Sequence, residues 1–451
     1  MSSSSSHPGV RDPFLDVVRA LAIVGVVAQH WLMPVLGYSA GRLTAGNALA
    51  TPGWWLFTWL SQVMPLVFFA GGAANLLSLR RVHAAGGTGR DWLNARVRRL
   101  LLPALPLLGV WLVAPVLLRV AGVAEQPVRL AGAVAAQLLW FLAVYLLTVL
   151  VTPLAVAAHR RWGLAVPVVL GVAGVLVDLA RFRDLPLIGY ANAVFVWVAV
   201  HQVGFHYAEG RLGALGRRGA LALSAAGFGV TALMVAFGPY PVSMIGMPGA
   251  PVSNMSPPSV LLLALGIGQV GLLLALRPVL DAFGRRPPVA AALRLLGPRF
   301  MSVYLWHMPA LVVVAGIAVL GFGYRTPEPG TVLWIAVAPV WVGVTALVLV
   351  GLLRVFGRFE ARRAGDEPGP AARPAVAAVL AATGLLGLAA TGFAWSADGG
   401  PWEGPLPWSA LVCAGFLFAG RPVRSGRLPA RAAVAGPASA SRSVGSAPRV
   451  G

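Results

Sequence analysis

Long apolar runs closed by arginine, proline or glycine set the rhythm of this chain. They fall at 14–36, 54–79, 100–118, 131–157, 163–180, 187–208, 219–238, 258–276, 300–321, 331–353, 374–395 and 405–420. Most approach the ~20 residues that an α-helix needs to cross the hydrocarbon core of a bilayer. The last run, of about 16 residues, falls short of the usual ~17–25. The pattern predicts an all-α polytopic membrane protein, a bundle of about 10–12 transmembrane helices. No internal repeat is visible, which disfavours a transporter built from inverted halves.

Composition supports that class. Of the 451 residues 58% are apolar and 11% charged, against roughly 25% charged in a soluble globular protein. The net charge of +21 would suggest nucleic acid in a soluble chain. In an apolar one it points to cytoplasmic loops. All 35 basic residues are Arg, which excludes lysine nucleophiles and Schiff bases. With the N-terminus cytoplasmic, 29 of the 35 arginines sort to the inner face and 6 to the outer. That distribution predicts a multi-pass protein of the cell membrane with a cytoplasmic N-terminus and no nucleic-acid partner. The single cysteine, Cys413, excludes an internal disulfide framework and Cys-rich zinc sites, and no metal is expected.

The ends differ from the body. Residues 1–10 are serine-rich and read as disordered. A cleaved signal peptide over 11–40 is disfavoured by Asp12 and Asp16 in its flank and by Gln29 and His30 in its apolar stretch. Residues 356–420 read as a cytoplasmic linker with one or two additional helices. The stretch 421–451, made mainly of Ala, Pro, Ser, Gly and Arg, reads as a disordered basic tail.

Ionisable groups inside a bilayer are costly, so each is a candidate for function. Asp16 and Asp178 are the acids in the expected spans. His30, His201, His206 and His307 fall within spans, while His7, His83 and His159 fall outside. Arg19 and His30 are eleven positions apart, within about 20° of one helix face and about 16 Å apart along it. Asp16, at i−3, can orient the guanidinium. A cation at the mouth with an imidazole deeper on the same stripe suits a long ligand with an anionic head and a reactive tip, such as acyl-CoA. The plainer alternative makes Arg19 a topology anchor and His30 a packed polar residue. Arg96 and Arg99, in the loop after the second span, are three apart and suit phosphate, or anchor that loop. For His201 and His307 the alternatives are a polar group near a channel or an interhelical hydrogen bond. The uncharged loop 239–257 reads either as a rigid apolar loop or as a cap over an acceptor site.

These residues resemble a family, the integral-membrane acyltransferases of the acyltransferase-3 type, especially the form common in actinomycetes. FLDVVRALAIVGVVAQHW at 14–31 is similar to the first-helix signature, and Arg96 and Arg99 match the Arg-x-x-Arg motif. FFAGGAANLLSLRR at 68–81, LWFLAVYLL at 139–147 and MSVYLWHMPALVV at 301–313 are similar to further family segments. YANAVFVWVAVHQVGFHY at 190–207 and NMSPPS at 254–259 are similar to the actinomycete form. The resemblance implies a transmembrane domain over 11–355. Many members carry Ser-Gly where this chain has Gly71-Gly72, which removes a hydroxyl and leaves a site for close helix approach. The implied activity transfers an acyl group, often acetyl, from acyl-CoA as co-substrate to a hydroxyl on a carbohydrate, lipid-linked glycan or secondary metabolite. By that analogy His30 is catalytic, as general base or as an acyl carrier, and Arg19, Arg96 and Arg99 hold the CoA phosphates. Asp16, His201 and His307 would support the site or line its channel. The rival reading is a transporter or flippase for a glycan or small metabolite, and a third is a scaffold that has lost activity.

Overall fold

The computed structural model describes residues 12–361, 373–395, 400–420 and 451. The tail expected at 1–10, residues 421–450 of the tail expected at 421–451, and residues 362–372 of the expected linker lie outside the described residues. Nine helical stretches among the described residues are long and apolar enough to cross a bilayer, and the pair Leu261–Ala275 and Arg277–Arg285, bent by 63°, would be a tenth if taken as one broken span. The chain is an all-α polytopic membrane protein. The expected span at 163–180 is the 17-residue helix Ala165–Arg181, and that at 405–420 is the 14-residue helix Pro405–Phe418.

Helix α1 (Pro13–Leu32) starts where local chemistry dictates. The Asp12 side chain accepts from the backbone N–H of Phe14, Pro13 opens the first turn and Asp16 complements the helix dipole. The second Asp12 oxygen accepts from the Tyr207 hydroxyl at 2.7 Å, which ties α1 to a helix nearly two hundred residues on. Past α1 the chain departs from the expected first span. Pro34 begins a strand, β1 (Pro34–Ser39), which pairs antiparallel with β2 (Arg42–Asn47). The turn needs two positive-φ residues, Ala40 at 49° and Gly41 at 75°, as a two-residue hairpin loop does.

The short α2 (Thr58–Ser61) leads into α3 (Met64–Ala84). Helix α4 (Gly89–Leu101) is launched by a capping box between Thr88 and Asp91, and Pro103 separates it from α5 (Ala104–Val120). Arg96 and Arg99, three apart in the connection after the second span, therefore share a helix face on α4. There follow α6 (Glu125–Gln137), α7 (Leu139–Trp162), α8 (Ala165–Arg181), α9 (Asn192–Ala208) and α10 (Gly216–Phe237). Then come α11 (Leu261–Ala275), α12 (Arg277–Arg285), α13 (Pro287–Leu296), α14 (Phe300–Gly316) and α15 (Val332–Ala361). A helical hairpin, α16 (Pro374–Thr391) and α17 (Pro405–Phe418), closes the described chain.

In lipid, helices associate by close packing and not by hydrophobic burial, so small residues mark the tightest contacts. The α3–α9 crossing shows this. A Cβ on Gly72 would overlap the carbonyl oxygen of His201, and one on Gly204 that of Phe69. Large side chains fill the space around that crossing, with Trp92, Trp197, Phe68, Phe69 and Phe205 fully buried. By contrast α8, α10 and α15 keep much of their apolar surface outward, as helices facing acyl chains do.

The uncharged loop 239–257 is firmly held. Trp59 Nε1 donates to the Val242 carbonyl at 3.0 Å and Gln62 Nε2 to that of Met244 at 2.9 Å. Asn254 Nδ2 donates to the carbonyls of Pro241 and Ser243 at 2.7 and 2.8 Å. These bonds pin the loop over the segment that precedes α3.

Candidate functional site

Two imidazoles meet where α1 and α14 pack together. His30 Nδ1 lies 2.9 Å from His307 Nε2, and the rings are stacked with centroids 5.1 Å apart and planes 13° from parallel. His307 is fully buried and His30 half-buried. The other nitrogen of His307, Nδ1, is 2.6 Å from the backbone carbonyl oxygen of Tyr304. A carbonyl can only accept, so Nδ1 of His307 carries the proton. In a pair of neutral imidazoles, His307 Nε2 then accepts from His30 Nδ1–H, and the free lone pair of His30 sits on Nε2.

Indole donors fix this pair. Trp31 Nε1 donates to the His307 carbonyl at 2.9 Å, and Trp341 Nε1, from α15, donates to the Trp31 carbonyl at 3.0 Å. The Tyr304 hydroxyl donates to the Leu138 carbonyl at 2.9 Å and anchors the ring that stands 5.8 Å, centroid to centroid, from His307.

A cavity of about 430 Å³ opens beside the first half of α1. Arg19, Arg81, Arg96 and Arg99 line it, with Asp12, Asp16, Ser78, Phe141, Tyr145 and Glu360, and its wall reaches Tyr304. None of the four guanidinium groups pairs with a carboxylate among the described residues. Arg19 lies over the Phe300 ring at 5.6 Å, and although Asp16 shares the cavity the two form no ion pair. Arg96 donates to Ser78 Oγ at 2.6 Å and lies 5.7 Å from the Trp92 ring. Glu360 is held by other donors, since its two oxygens accept from the backbone N–H groups of Met301 and Ser302 at 3.2 and 2.8 Å. The result is a cluster of four guanidinium groups, none in an ion pair among the described residues, around a space large enough for a ligand.

Trp31, Tyr324, Trp334 and Trp341 line a separate small cleft. Trp334 and Glu360 stand near opposite ends of α15. The aromatic cleft and the arginine cavity therefore lie toward opposite ends of the bundle, with His30 between them along α1.

The residues singled out by sequence sort into two groups. His30 and His307 are brought together, and Arg19, Asp16, Arg96 and Arg99 share the cavity. His201 stands apart, with Nε2 3.1 Å from Asn75 Nδ2 on the α3–α9 crossing. Gly71 faces the Tyr145 ring, so it contributes room and no hydroxyl. Arg81, Tyr145 and Glu360 were not singled out. Arg81 had a signal, because Gly71, Ala74, Ser78 and Arg81 recur at helical spacing on one face of α3, and all four line the cavity.

His159 was placed outside the spans and is in fact buried on α7. Its Nε2 donates to Glu209 at 3.0 Å, its Nδ1 lies 3.1 Å from Gln202 Oε1, and Arg80 and Arg211 reach the same carboxylate at 2.5 and 3.3 Å. Burial by itself would raise the carboxyl pKa of Glu209. The hydrogen bonds from His159 and Arg80 outweigh it and hold that pKa below the usual carboxylate value. Among the described residues no three His, Cys, Asp or Glu side chains gather as a metal site would need.

A family model described as an acyltransferase domain, of the acyltransferase-3 type, matches residues 12–357. No curated protein and no solved structure matches the chain.

Proposed function

The chain belongs to this acyltransferase family and is a multi-pass membrane acyltransferase; from that premise we propose that it moves an acyl group, acetyl foremost, from acyl-CoA to a hydroxyl of a carbohydrate, lipid-linked glycan or secondary metabolite. One observation carries this reading: four arginines that form no ion pair with a carboxylate among the described residues line a single cavity that reaches Tyr304, one helical turn from His307. A donor with phosphates at one end and a thioester at the other fits that layout. Arg19, Arg81, Arg96 and Arg99 would take the phosphates, because a guanidinium donates two hydrogen bonds at once and keeps its charge.

His30 is the general base of this scheme. Its Nε2 takes the proton of the acceptor hydroxyl while the hydroxyl oxygen attacks the thioester carbonyl carbon. The carbon–sulfur bond breaks, CoA departs as the thiolate, and the proton held on His30 returns to that sulfur. His307 supports the step by accepting from Nδ1–H, which keeps the lone pair on Nε2. We take the arginine-bearing side as the cytoplasmic face of the cell membrane, with the N-terminus on it. The arginine distribution along the chain supports that orientation.

The test is direct. Purified protein in detergent should bind labelled acetyl-CoA and hydrolyse it slowly without an acceptor, and His30→Ala should abolish turnover while binding and thermal stability persist. Normal turnover in His30→Ala would overturn the role of the base. A wild-type chain that ignores acetyl-CoA would favour the rival, a transporter or flippase.

A further inference from the structure

The family match ends at residue 357, so the α16–α17 hairpin lies outside it. This hairpin is a compact unit. Gly384 and Gly415 let the two helices meet backbone to backbone, and Trp408 packs over Gly387. It lies along α6 and α7 and touches the far side of α4, the helix that carries Arg96 and Arg99.

The contacts on α4 divide by helix face. Arg96 and Arg99, three apart, line the cavity. Asn94 and Arg98, four apart, turn to the hairpin. Asn94, buried, donates through Nδ2 to the Gly420 carbonyl at 3.2 Å just past the end of α17, and the Arg98 guanidinium lies 4.6 Å from the Phe416 ring. A few residues of one short helix therefore meet the cavity on one face and the added hairpin on the other. Helices of this length are marginal alone, so what packs on their second face fixes their position.

We propose that the α16–α17 hairpin is a positioning module for the donor site, with Phe416 and Asn94 as the positioning residues that hold α4 in register. This inference rests on the reading of the arginine cavity as the acyl-CoA site. It makes the hairpin an affinity determinant of a reaction whose chemistry is performed elsewhere.

The experiment compares the full-length wild type with Phe416→Ala, Asn94→Ala and Phe416→Trp in detergent, with Leu406→Ala on the exposed side of α17 as control. The readouts are binding and turnover of labelled acetyl-CoA, and amide exchange over residues 89–101. We expect Phe416→Ala and Asn94→Ala to raise Kd and KM for acetyl-CoA about fivefold, as loss of one partly exposed cation–π contact or one hydrogen bond does, with kcat nearly unchanged. Exchange over 89–101 should quicken while α9 stays protected, and Phe416→Trp should restore both. Unchanged affinity and exchange in both alanine variants overturn the inference. So does a fall in activity that merely follows the folded fraction, with KM native. If the wild type takes up no acetyl-CoA, the reading of the cavity fails with the affinity claim. Quickened exchange at α4 would then show that the hairpin still braces this helix.

Discussion

Nδ1 of His307 donates to the carbonyl oxygen of Tyr304 at 2.6 Å, and that bond sets the direction of every hydrogen bond in the imidazole pair. It makes Nε2 of His307 an acceptor and so directs the Nδ1 proton of His30 toward it. His307→Leu removes the acceptor and should cut kcat by about 100-fold, the lower end for loss of a general base, with little change in acetyl-CoA binding. His307→Gln, whose amide oxygen can accept the same proton, should retain more activity than the leucine variant. Equal activity in the two would show that the hydrogen bond to His307 is idle.

The arginine cavity predicts an additive, salt-sensitive donor site. Arg81→Ala, Arg96→Ala and Arg99→Ala should each weaken acetyl-CoA binding by about tenfold or more, the worth of one charge-assisted hydrogen bond. Arg→Lys should recover only part of it, since an ammonium cannot offer the paired donors of a guanidinium. Isothermal titration at two ionic strengths reads both effects. Arg81 is the most informative position, because it lies outside the Arg-x-x-Arg motif of Arg96 and Arg99 and yet lines the same cavity.

Gly71 and Gly72 are neighbours with opposite tolerances. Gly72→Ala drives a methyl into the backbone of α9 at His201, where nothing flexible can yield. It should cost about 1–3 kcal/mol, as overpacking does, and lower Tm by several degrees. A side chain at position 71 meets only the end of the Tyr145 ring, which can swing aside. Gly71→Ser should therefore fold normally and alter donor affinity, if anything, through Tyr145.

The Glu209 junction should be felt in acid. Its carboxyl pKa lies below the usual carboxylate value of 4.5 in the folded chain. The stability it contributes is therefore full above the unfolded value and is lost as pH falls through the lower folded one. Glu209→Gln should lower Tm at pH 7, and the gap to wild type should close as pH drops below about 4. A gap that stays constant over that range would show that the carboxylate charge is not what binds α3, α7 and α9 there.

What could be read from sequence follows from what periodicity carries. The apolar runs gave the helices, and the eleven-residue spacing put Arg19 and His30 on one stripe of α1. Period fixes a face and not the partner across it, so the meeting of His30 with a residue 277 positions away could not be read. The same limit left His307 and His201 looking alike, although one meets His30 and the other lies on the α3–α9 crossing. Arg81 was obscured because arginines at helix ends report topology whether or not they bind anything. The β1–β2 hairpin was missed because the apolar run of α1 continues through Pro34 and Val35 into the first strand. His159 was misplaced because the span estimate stopped at Ala157 while α7 continues to Trp162.

The two indole bonds, Trp31 to His307 and Trp341 to Trp31, link α14, α1 and α15 in series. Sliding one of these helices by a single residue, about 1.5 Å, would break the stitch that crosses it. The geometry around His30 is thus set before any substrate arrives. A transporter rocks its halves around a stationary cargo. In the proposed scheme His30 is what stays in place, and donor and acceptor come to it.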